Sequence, residues 1–97
     1  MSANQIVLDV VVARRDAPRK TPGGVASLSL TFSHQSVQQE NGVAVNVDLE
    51  LEAISYGEVA VALESLVVGS ALSVKGFLSR KNRFSDTPIL HITQFKI

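Results

Sequence analysis

The sequence predicts an all-β domain: a five-stranded Greek-key barrel with a short helix or turn between the third and fourth strands. Three observations predict it. Apolar and polar residues alternate through two long neighbouring segments, 25–36 and 43–53, the period-two signature of strands with one buried face. An Asn41-Gly42 pair lies between them, a strong signal of a tight hairpin. Only the stretch 56–68 approaches helical spacing. With 97 residues, the chain is expected to form a single domain over 1–97. A hydrophobic fraction of 45% suffices for a packed core and excludes a disordered polar chain. Charged residues are 19%, below the ~25% of an average soluble domain, as fits a surface partly covered by a partner.

The first strand is Ile6–Ala13. Ile6, Leu8, Val10 and Val12 can form one buried face, and Val7, Val11 and Ala13 put apolar groups on the other. Two apolar faces suggest burial in a core and in an interface. Arg14–Lys20 reads as a charged connector, closed by the turn Thr21-Pro22-Gly23-Gly24. In the second strand, Val25–Ser36, Ala26, Leu28, Leu30 and Phe32 point in, and Ser27, Ser29, Thr31 and Ser33 point out. After the turn region Gln38–Gly42 comes the third strand. Val43, Val45, Val47, Leu49, Leu51 and Ala53 are expected inside, with Ala44, Asn46, Asp48, Glu50 and Glu52 outside. Val59, Leu63, Leu66 and Val67 carry the helical spacing, and Gly69 ends it. The fourth strand, Ser70–Ser79, buries Leu72, Val74 and Leu78, and Gly76 predicts a bulge or bend. Arg80–Thr87 reads as a basic loop. Pro88–Ile97 is the fifth strand, with Leu90 and Ile92 inward and His91, Thr93 and Phe95 outward, or the reverse. This order matches the five-stranded OB-fold barrel, whose face on the second and third strands and whose loops commonly bind oligonucleotides.

Several chemistries are absent. No cysteine is present, which excludes disulfides, thiolate zinc sites and a cysteine nucleophile. Apolar runs such as Val59–Leu63 fall far short of the ~20 residues of a membrane helix. Met1–Gln5 is polar and lacks a signal-peptide pattern. No membrane association and a cytoplasmic location are expected. No Gly-rich phosphate loop or Gly-x-Ser-x-Gly turn occurs, and His34 and His91 lack metal-ligand spacing. No catalytic residue, metal site or cofactor is expected.

Charge is segregated although its sum is zero. Residues 21–74 contain no Lys or Arg and six carboxylates: Glu40, Asp48, Glu50, Glu52, Glu58 and Glu64. Both ends are basic. This is either a set of solvated faces or a positive surface for a polyanion with an acidic surface facing something else. The segment Arg80-Lys81-Asn82-Arg83-Phe84 has three cations in five residues beside an aromatic. Cations contact phosphates and a ring stacks on a base; alternatively, Phe84 tucks against the barrel.

Thr21-Pro22-Gly23-Gly24-Val25, His34-Gln35-Ser36-Val37-Gln38-Gln39-Glu40-Asn41-Gly42, Val68-Gly69-Ser70, Val74-Lys75-Gly76-Phe77-Leu78-Ser79 and Leu90-His91 occur in that order. Together they resemble the primosomal replication protein N (PriB) family, within the OB-fold relatives of single-stranded DNA-binding protein. The resemblance covers nearly the whole chain. It implies a homodimer that binds single-stranded DNA without sequence preference. It also implies docking on the PriA helicase, work with other primosome proteins such as DnaT, and a role in replication restart. The family can carry stacking aromatics on the third strand, where this chain has Val43, Val45, Val47, Asp48 and Glu50. Each stack lost removes ~1–3 kcal/mol. Weak, mostly electrostatic DNA binding is therefore expected through Arg80, Lys81, Arg83 and Phe84, extended by Lys75, Arg14, Arg19 and Lys20. Asp48, Glu50 and Glu52 are the candidate docking surface for a basic partner. The alternative is an interaction module with little or no DNA affinity.

Overall fold

The computed structural model describes residues 2–97; of the Met1–Gln5 segment, Met1 lies outside them. The elements are β1 (Ile6–Arg15), β2 (Arg19–Lys20), β3 (Ala26–Glu40), β4 (Val43–Tyr56), α1 (Glu58–Leu63), β5 (Ala71–Asn82) and β6 (Ser85–Lys96). Five long strands are the five expected; β2 is a two-residue pairing within the connector. Strand pairing runs β3–β1–β5–β6–β4 and returns to β3. The ring is therefore closed, and a closed ring leaves few edges. All these pairings are antiparallel except β4–β6, a short parallel contact of Ala53 with Leu90 and Ile54 with His91.

Alternation fills the barrel. Val12, Leu28, Leu30, Phe32, Ala53, Leu72, Val74, Leu90 and Ile92 point inward and are buried, each larger side chain contributing about 1.5–3 kcal/mol. The helical spacing predicted over 56–68 yields only six residues of α1, which seats Ala60 and Leu63 in the core. Leu66 follows in irregular backbone and is buried too, while Val67 is exposed. Arg15 donates from Nη1 to the Glu64 and Leu66 carbonyls beyond the helix, satisfying acceptors that a helix end leaves unpaired.

Three expectations are corrected. The β3–β4 hairpin is longer than predicted: its strands pair from Ser27 with Tyr56 to Glu40 with Val43. Its turn is Asn41-Gly42 alone, both with positive φ (53° and 76°), the backbone a two-residue hairpin turn demands. As a result Val43, Val45 and Leu49, expected inside, are exposed, and Val47 is half-buried. Their alternation is intact, but the arm runs past the barrel, since β1 pairs with β3 only over Leu30–Ser33. Second, Arg80–Thr87 is no open loop: β5 and β6 pair through it, to Asn82 opposite Ser85. Third, Phe95 packs against the core. An extra residue in β6, Thr93, sits where the register shifts between Lys75 and Gly76, and such a bulge turns the next side chains over.

Gly76 marks that shift. A Cβ there would lie 1.8 Å from the His91 carbonyl oxygen and 2.8 Å from its carbon. Backbone atoms cannot swing aside as a side-chain end would, so Gly76→Ala should destabilise by about 3 kcal/mol or more. Urea unfolding checks this through a lower midpoint at an unchanged slope.

Candidate nucleic-acid interface

The β5–β6 hairpin ends in the two-residue turn Arg83-Phe84. Asn82 Oδ1 accepts from the Phe84 amide at 2.9 Å, and Ser85 Oγ from the Thr87 amide at 3.1 Å. These side-chain bonds fix the tip. Phe84 is 87% exposed; its ring stands in solvent and not against the barrel. The Arg83 guanidinium lies 5.2 Å from its centroid, within cation–π reach. Arg80, Lys81, Arg83 and Phe84 thus come together on one projecting hairpin.

The cations are not all free. Lys81 Nζ approaches Glu52 Oε2 at 3.2 Å and Oε1 at 3.3 Å, and Arg80 Nη1 lies 3.7 Å from Asp86 Oδ1. A bulge brings Arg14 into the same row. The register of β1 shifts between Val12 and Arg14, so Arg14 faces Thr31, which pairs in turn with Glu52. Arg14 Nη2 donates to Thr31 Oγ1 at 3.3 Å. The result is a cross-strand line Arg14–Thr31–Glu52–Lys81 over an open depression of about 350 Å³ that Asp16 also borders. Asp48 and Glu50 sit farther out on the same face of β4, opposite Gln35 and Ser33. Neither has an ion-pair partner among the described residues.

Arg19 and Lys20, on β2, and Lys75 are not gathered with these. Lys75 is six residues from Lys81 along β5, or ~20 Å at strand rise. Lys75 and Arg19 flank another group instead, which the candidate residues above do not include. Phe77 and His91 are paired across β5–β6 with rings stacked, centroids 4.8 Å apart and planes 10° apart. The Tyr56 ring lies 6.2 Å from His91, tilted by 34°. Tyr56 pairs with Ser27, and Ser27 with Arg19. Phe77 lies on the outer face of its strand, opposite to Leu72, Val74 and Leu78. No spacing in the sequence brings 56, 77 and 91 together.

His34, by contrast, is buried and structural. Its Nδ1–H donates to the Asp9 carbonyl at 2.6 Å, so Nε2 accepts from the Ser36 hydroxyl at 2.8 Å. Among the described residues, no group of three His, Asp or Glu could hold a metal ion. Among the described residues, no helix is long and apolar enough to cross a membrane.

A single-strand binding protein family matches residues 4–94. Replication restart protein PriB of Nitrosomonas europaea is 32% identical over 97 residues, covering 100% of this chain and 90% of the relative. The chain belongs to the PriB family of replication restart proteins. PriB of Neisseria gonorrhoeae is 33% identical over 93 residues, 96% of this chain and 92% of that one. The solved structure of PriB from Ralstonia solanacearum superposes with a TM-score of 0.90 at 27% identity, covering 98% of this chain and 97% of that one. The single-stranded DNA binding protein of Thermus aquaticus matches with a TM-score of 0.77 at 25% identity, covering 97% of this chain and 49% of that one. The OB fold predicted from strand order is the fold of the PriB family.

Because Glu52 and Lys81 are both substantially exposed, their ion pair adds little to stability. Glu52→Gln should shift the unfolding free energy by no more than about 0.5–1 kcal/mol, measured by urea titration.

Proposed function

We propose that this chain is a non-enzymatic replication-restart accessory protein of the cytoplasm. It binds single-stranded DNA without sequence preference and docks on the PriA helicase of the primosome. The observation that carries the DNA reading is the β5–β6 tip. Three cations and an exposed aromatic ring share one ordered hairpin, the combination of phosphate contact and base stacking that single strands require. Arg14 extends the path, and Arg19, Lys20 and Lys75 are more distant contacts. Asp48, Glu50 and Glu52 form the docking face for a basic partner, PriA or another primosome protein such as DnaT. Family membership supports the primosome role.

A second reading is favoured by the pairing of Lys81 with Glu52 and of Arg80 with Asp86. There the chain is a protein-interaction module with little DNA affinity. Salt separates the two. Contacts to three phosphates at about −0.7 each predict a log–log salt slope near −2 for a single strand. Replacing Arg80, Lys81 and Arg83 together by Ala should weaken binding and make that slope shallower by about 2, with the fold unchanged. Fluorescence anisotropy of a labelled single strand at two salt concentrations measures both; an undetectable isotherm at low salt would leave only the second reading.

The homodimer is assigned to β1. Its edge over Ile6–Val10, opposite to β5, has no ladder partner among the described residues, and Val7 and Val11 are exposed. An unpaired edge with apolar side chains is a template for pairing with another strand. Sedimentation at micromolar concentration should give a dimer that Val7→Asp weakens. A wild-type monomer there sinks the assignment.

A further inference from the structure

We infer that Tyr56, His91 and Phe77 form a second contact for single-stranded nucleic acid, a platform on which bases stack. It lies on the outer surface of β4, β6 and β5, apart from the hairpin tip. The inference rests on the reading that this chain binds single-stranded DNA, and adds a base-contacting site to the phosphate-contacting one.

The rings are available. Tyr56 is 47% and Phe77 39% exposed, on strands that supply no flexible loop. Phe77 and His91 are already parallel at 4.8 Å, the arrangement a base continues by stacking. Any base offers a π-face, so such a platform is indifferent to sequence. Charge selects a polyanion over an apolar peptide. The outer face of β5 runs Lys75, Phe77, Ser79, Lys81, with Lys75 two residues from the ring and Lys81, paired with Glu52, farther along the strand. On the opposite flank Arg19 stands in one cross-strand row with Ser27 and Tyr56. Two of the cations left apart from the tip, Lys75 and Arg19, thus flank the rings. The outer face of β4 has carboxylates at Asp48, Glu50 and Glu52 and changes to Ile54 and Tyr56 where it reaches the platform.

The chain reports on this site by itself, having one tyrosine and no tryptophan. Titration with a thymidine oligonucleotide of roughly 30 nucleotides should quench the Tyr56 emission with the midpoint that anisotropy reads. Phe77→Leu, which keeps an apolar side chain but no ring, should weaken binding about fivefold or more. An abasic chain of equal length should bind wild type and Phe77→Leu alike. Tyr56→Ala repeats the test if Phe77→Leu does not fold by circular dichroism. Binding by anisotropy with unchanged Tyr56 emission and unchanged affinity of the variants overturns the platform and leaves the hairpin reading standing. Absence of binding by wild type at low salt overturns both.

Discussion

The parallel contact between β4 and β6 holds the barrel shut, and it is the thinnest seam in the ring: only Ala53 with Leu90 and Ile54 with His91. One of its residues, His91, also lies against Gly76 of β5, where any side chain would meet the His91 carbonyl. That seam decides much of the outer surface. It brings β4 alongside β6, so that Tyr56 reaches His91 and Glu52 reaches Lys81. Hydrophobic burial drives the closure, and the missing Cβ of Gly76 lets β5 and β6 pair beside the seam.

On the outside, electrostatics decide between competing partners. Lys81 and Arg80 are each held by a carboxylate, while Arg83 lies over Phe84. Exposed ion pairs are weak, so a phosphate chain can compete with them, more readily at low salt where the counterions it releases count most. On the proposed reading, Glu52 tempers the DNA contact through Lys81, while Asp48 and Glu50, farther out on the arm, are left for a protein.

The two projecting hairpins show how one pairing rule serves different ends. In β3–β4, the alternation that fills the barrel continues beyond it, carrying Val43, Val45 and Leu49 into solvent. In β5–β6 the continued pairing turns a basic segment into an ordered tip. The bulge after Val12 has a comparable effect in miniature: it puts Arg14 beside Thr31 on the outer surface.

The sequence by itself determined the strands, the inner faces of all but the last within the barrel, the Asn41-Gly42 turn and the strand order that makes an OB barrel, because these follow from local periodicity and turn chemistry. It determined too that Arg80, Lys81, Arg83 and Phe84 lie together, since five consecutive residues stay together in any fold. Where the barrel ends along β3 and β4 was decided only by the tertiary structure: Val45 and Leu51 are alike in pattern, and burial depends on what lies beneath. So were the pairing of Lys81 with Glu52 and the meeting of Tyr56, Phe77 and His91. Those contacts join residues far apart in the chain, and only the closure of the ring brings them within reach.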